Sequence, residues 1–97
     1  YSALQEIERV NFDQVFLGVT YYSSTAGFTC GSDDESFIKS TAMHQSDQVI
    51  VLMDSSKVGK KCSCKICDIS DVDLIISDGK LPEDFLEECQ KNQVIVL

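Results

Sequence analysis

The sequence contains no apolar run near the roughly 20 residues that a helix needs to cross a bilayer. Its longest, Val49 to Met53 and Val94 to Leu97, are strand-sized. No signal peptide is visible either. Positive charge is scarce: 8 Lys and Arg stand against 16 Asp and Glu, for a net charge of -8. A surface of that sign argues against wrapping nucleic acid or an anionic membrane, so any contact with DNA must be made by another segment. Histidine occurs once, as His44 near the end of a predicted helix, which suits a cap or surface residue better than a catalyst. No internal repeat and no low-complexity linker divides the chain.

What is present fits one globular domain. The chain has 97 residues, 43% of them hydrophobic and 25% charged. A domain of that size buries roughly 60–65% of its unfolded surface, enough for a thin sheet with helices but not for a large enclosed cavity. Its five cysteines, an odd number without a secretory signal, predict reduced thiols in the cytoplasm. Beginning at Tyr1 with no apolar leader, the sequence reads as a soluble, cytoplasmic piece of a longer chain.

Periodicity orders the elements. Leu4 and Ile7 suggest the tail of a helix. "FDQVFLGV", residues 12–19, reads as a buried strand, and 20–31 as a polar, glycine-containing connection. Ser32 and Glu35 match a capping box, and Phe37, Ile38, Thr41 and Ala42 then recur at helical spacing. "VIVLMD" (49–54) and "LIISD" (74–78) are strands, while "CSCKI" (62–66) is a short edge strand. Pro82 is placed to open a helix whose first turn carries Glu83 and Asp84 and whose buried stripe is Phe85, Leu86 and Cys89. "VIVL" (94–97) is a further strand. Phe37 and Phe85 are expected in the core, and Phe28 is expected to anchor its loop on the sheet.

Strands alternating with helices predict an α/β fold with a mainly parallel sheet flanked by helices. In such sheets ligands bind beyond the carboxyl ends of the strands. That edge gathers Gly18 to Gly27, Asp54 to Gly59, and Asp78 to Lys80. Within it, Asp54-Ser55-Ser56-Lys57-Val58-Gly59 offers hydroxyl donors, an ammonium and a glycine, the combination a phosphate requires. Lys57, Lys60, Lys61 and Lys65 would raise the local potential in an acidic domain. The same residue types also make ordinary turns. Chemistry alone leaves both readings open.

The landmarks "FDQVFLGV", "AGFT", Glu35, "VIVLMDSSKVGK", "DVDLIISD" and "VIVL" resemble the effector-sensing domain of DeoR-type sugar-operon repressors from about Leu4 to Leu97. The resemblance implies a part of an isomerase/CoA-transferase-like sensor domain, similar in fold to ribose-5-phosphate isomerase. It also implies a phosphorylated sugar as effector, an operator-binding winged helix-turn-helix outside this chain, a homo-oligomer, and no cofactor. It assigns effector contacts to Gly18, Thr20, Gly27, Glu35, Asp54, Ser55, Ser56, Lys57 and Asp78. Tagatose, fructose, galactitol and glycerol phosphates all suit such a site, as does a lactose, galactitol or fructose operon. The family usually carries a second glycine after the first strand, where this chain reads Gly18-Val19-Thr20-Tyr21-Tyr22, so the two tyrosines are candidates to stack on or crowd a sugar. Its usual Thr-Asp is Ser77-Asp78 here.

Two other readings belong to different classes. A phosphosugar isomerase would use Glu35 as base and Lys57 at the phosphate, but the aspartate pair such enzymes carry after the first strand is missing. A zinc module would use Cys62, Cys64 and Cys67, although their spacing on a strand sends Cys67 to the opposite face.

Overall fold

The computed structural model describes residues 2–97. A short helix, α1 (Ser2–Glu8), precedes strand β1 (Phe12–Gly18). Strands β2 (Tyr21–Ser23) and β3 (Gly27–Cys30) follow, then helix α2 (Asp33–His44) and strand β4 (Ser46–Leu52). After β4 come strand β5 (Cys64–Cys67), strand β6 (Leu74–Ile76), helix α3 (Glu83–Lys91) and strand β7 (Ile95–Val96). All four predicted strands of the parallel sheet form, in the order β1-β4-β6-β7.

A second sheet, of order β2-β3-β5 and antiparallel, was not expected. The stretch read as a polar connection contains the β2–β3 hairpin. Its strands have three and four residues, too short for alternation to register, and its core is set by Tyr22, Phe28, Thr29 and Cys30. The predicted edge strand near Cys62 is the edge of this second sheet.

The main sheet has one filled face. Leu17, Val49, Val51 and Ile75 share it with Met43 of α2 and with Phe85 and Cys89 of α3, in one continuous cluster. Both helices therefore lie on the same side. This follows from the strand order, because right-handed crossovers taken in sequence all pass over one face. Residues of opposite parity, Phe16, Leu52, Ile76 and Ile95, remain exposed.

The helices depart from the predicted stripes. Phe37 is 60% exposed, because α2 turns Ser36 and Met43 to the sheet while Phe37 and Ile38 border a groove beside Leu4 of α1. Leu86 is likewise partly exposed, whereas Phe85 and Cys89 are buried as expected. The capping box is half formed: Ser32 accepts from the Glu35 N–H, but the Glu35 carboxylate goes to Lys39. Pro82 stands one position before the helix, as its N-cap. His44 closes its own helix, its Nδ1 2.8 Å from the Ser40 carbonyl.

Tyr22 belongs to the core. It is 3% exposed, packs on the rings of Phe28 and Phe85 at 4.6 and 4.9 Å, and donates to Glu88 at 2.6 Å. Burial, and then Glu88, hold its phenol well above the ordinary range. Phe28 is fully buried, the anchor that was expected.

Candidate functional site

Parallel register brings three strand ends level, since Gly18 pairs with Leu52 and Leu52 with Ile76. The segments leaving them, 19–20, 53–59 and 77–80, therefore start from one line across the sheet. Elementary chain geometry delivers most of the predicted residues to one edge.

The 53–59 segment is the most organised. Ser55–Lys57 form one 3-10 turn, capped by Asp54, whose Oδ1 accepts from the Ser56 N–H at 2.9 Å and from the Ser56 hydroxyl. Asp78 reaches across from the end of β6: its Oδ2 accepts from the Ser55 N–H at 3.3 Å and the Ser55 hydroxyl at 3.1 Å. Its Oδ1 accepts from the Lys80 N–H at 3.1 Å. The Lys80 N–H, followed by the Ser55 donors, holds the Asp78 carboxyl below its ordinary range. Asp54 and Asp78 thus shape the turn from within, and the two serine hydroxyls donate to carboxylates. Farther along, the Gly59 N–H donates to Tyr22 O at 2.8 Å, tying the segment to the second sheet.

Lys57 is different. The ion pairs among the described residues are Glu35–Lys39 and Lys65–Asp68, so Lys57 stands half-buried at the turn without a carboxylate partner. The wider lysine cluster is less open than the sequence suggests: Lys65 is paired, and the Lys60 ammonium lies 5.6 Å from the centre of the Tyr21 ring.

Glu35 lies in the first turn of α2, bonded at 2.7 Å to Lys39. Lys39 also donates to Gly18 O, placing a second ammonium at the end of β1. The only signal for Lys39 in the sequence is the spacing Glu35-x-x-x-Lys39, at which helical side chains meet. A Cβ on Gly18 would have nothing within 4 Å, so the space beside it is open. Thr20 donates its N–H to Thr29 O at 3.1 Å. Gly27 serves packing: at φ 75° it is buried in β3, and a Cβ there would lie 2.5 Å from Cys67 O.

A cleft of about 650 Å³ opens elsewhere, between β2 and α3. Asp84, Glu87 and Glu88 line it against one lysine, Lys91. That sign repels a phosphate. The five cysteines do not gather at one point. Cys30 and Cys64 face each other across β3 and β5, while Cys67 and Cys89 are buried, which pushes their thiols up to about 12 and about 11. Among the described residues no three His, Cys, Asp or Glu side chains gather to hold a metal ion.

The family model described as the DeoR C terminal sensor domain matches residues 1–79. The chain is 32% identical over 91 residues to the HTH-type transcriptional regulator GlpR of Haloferax volcanii, covering 94% of this chain and 36% of that protein. It is 33% identical over 96 residues to a putative aga operon transcriptional repressor of Escherichia coli O157:H7, covering 99% and 36%. It is 26% identical over 96 residues to the HTH-type transcriptional repressor GlcR of Bacillus subtilis, covering 99% and 37%. The chain thus spans just over a third of the length of these curated relatives. With its parallel sheet, its level strand ends and the Asp54–Gly59 turn in place, the chain belongs to the DeoR C-terminal sensor domain family.

Proposed function

We propose that this chain is the effector-sensing part of a DeoR-type transcriptional repressor, and that it takes a phosphorylated sugar at the carboxyl edge of the parallel sheet. Lys57 supplies the charge for the phosphate, and effector binding draws to it the Ser55 and Ser56 donors that Asp78 and Asp54 hold in the free protein. Asp54 and Asp78 hold that turn and offer acceptors to sugar hydroxyls, and the open side of Gly18 gives room for close approach. The observation that carries the reading is an unpaired Lys57 on a turn fixed by two carboxylates at the level ends of β1, β4 and β6. Occupancy would be relayed to an operator-binding segment in a cytoplasmic homo-oligomer through differential affinity for two arrangements of that assembly.

The test is a thermal-shift series pairing each phosphosugar (tagatose, fructose, galactitol and glycerol phosphates) with its free parent. A ligand at 100 times its dissociation constant stabilises by about 2.7 kcal/mol, a shift of several degrees. One phosphosugar should shift the midpoint while its parent does not. Lys57→Ala should weaken that response roughly tenfold or more, the worth of one charge-assisted bond, while moving ligand-free stability by less than about 0.5 kcal/mol. An undiminished response in Lys57→Ala would refute the assignment.

A further inference from the structure

We propose that Cys30 and Cys64 form a reversible redox pair, a modification site that closes as a cross-strand disulfide between β3 and β5. The two residues are direct partners in the antiparallel ladder. Partners in such a ladder stand about 4.5–5.5 Å apart at Cα with side chains on one face, inside the range of about 4.4–6.8 Å that a disulfide accepts. The thiols also point to a common place. The Cys64 thiol donates to Asp33 Oδ1 at 3.1 Å, and the Cys30 thiol to the Ser32 carbonyl at 3.5 Å. Both acceptors belong to the start of α2. All five cysteines are free.

The roles follow from exposure. Cys64 is half-buried at the edge strand and open to a reagent, whereas Cys30 is fully buried behind it. A small dialkyl disulfide of the glutathione class is therefore attacked first by the Cys64 sulfur. The reagent's S–S bond breaks, and one thiolate leaves with the electron pair. The Cys30 sulfur then attacks Cys64 Sγ, the mixed disulfide breaks, and the second thiolate leaves. The two protein protons end on the two departing thiols, and the reagent is reduced by the two electrons that the protein loses. The hydrogen bond to Asp33 raises the Cys64 pKa, which keeps the thiolate scarce near neutrality and makes the pair slow to close.

Closure has a structural consequence. A disulfide has no S–H, so at the first turn of α2 the Asp33 carboxylate loses its thiol donor, while the Ser32 carbonyl loses that of Cys30 and keeps the Ser36 N–H. That helix carries Glu35 and Lys39, and Lys39 reaches Gly18 O. Oxidation therefore acts on the helix that borders the sheet edge, whatever the edge binds.

The protein is treated with excess glutathione disulfide, alkylated and digested with trypsin, then reduced as a control. Two thiols should be lost and regained on reduction, and the Cys30 peptide should be joined to the Cys62–Lys65 peptide. Because that short peptide holds two cysteines, Cys62→Ser and Cys64→Ser decide between them. The bond should survive Cys62→Ser and vanish in both Cys64→Ser and Cys30→Ser. Thiol loss that persists in Cys64→Ser, a bond within the Cys62–Lys65 peptide, or no loss in excess reagent would each overturn the proposal.

Discussion

At the residue scale, glycines with the same sign of φ play unequal parts. Gly27 and Gly59 both lie in the left-handed region, at φ 75° and 96°. The space around them differs. A methyl group on Gly27 would meet the backbone oxygen of Cys67 at 2.5 Å, whereas one on Gly59 meets nothing within 4 Å. Gly27→Ala therefore combines backbone strain with overpacking against an atom that cannot rotate away, and should cost about 3 kcal/mol or more. Gly59→Ala carries backbone strain alone and should cost about 1–2 kcal/mol. Urea unfolding of the two variants measures the difference, and an equal loss would contradict the packing described for Gly27. The same comparison separates the two glycines functionally. Gly27 holds the second sheet together, and Gly59 belongs to the turn that presents Lys57.

At the element scale, the site depends on one cross-strand tie. Asp78 accepts from the Ser55 and Lys80 N–H groups and the Ser55 hydroxyl, which joins the segment after β4 to the segment after β6. Its folded pKa lies below the ordinary value of 3.8. The tie is therefore complete above that value and is lost as pH falls through the lower, folded one. Hydrogen exchange at the Ser55 and Lys80 amides should be slow at neutral pH and faster in Asp78→Asn. Because Asp78 is exposed, global stability should change little. Unaltered exchange in that variant would mean that the turn holds itself. Much of this arrangement was legible in the sequence. Apolar runs ending in Gly18, Asp54 and Asp78 located the strands, and parallel order placed their ends together. The second sheet was not legible, because its strands are too short for periodicity and draw their core from distant residues such as Phe85. Nor was the engagement of Glu35 by Lys39, since a capping-box pattern and an i,i+4 pair compete for the same carboxylate.

At the scale of the whole molecule, the sheet is finished on one side only. The order β1-β4-β6-β7 sends every crossover over the face of Leu17, Val51 and Ile75. On the other face Phe16 is 56% exposed, Leu52 43%, Ile76 37% and Ile95 63%. Ile50 is buried there beneath its neighbours and stays outside the main cluster. The continuous apolar character of these strands suits a sheet covered on both faces. No described helix lies over the second face. A contiguous apolar surface of this kind is uncommon on a stable monomer. Prepared as 97 residues, the chain should bind an anilinonaphthalene sulfonate dye or self-associate at micromolar concentration. Replacing Phe16 and Ile95 together by serine should cut dye binding severalfold while costing no more than about 1 kcal/mol, since both side chains are already more than half in water. Val51→Ser on the filled face should instead cost several kcal/mol, roughly 3 or more, because it leaves a cavity and a buried hydroxyl. Equal costs on the two faces, or dye binding indifferent to Phe16 and Ile95, would mean that both faces are packed. The opposite result would establish that a third layer must be added to this sheet from outside the 97 residues.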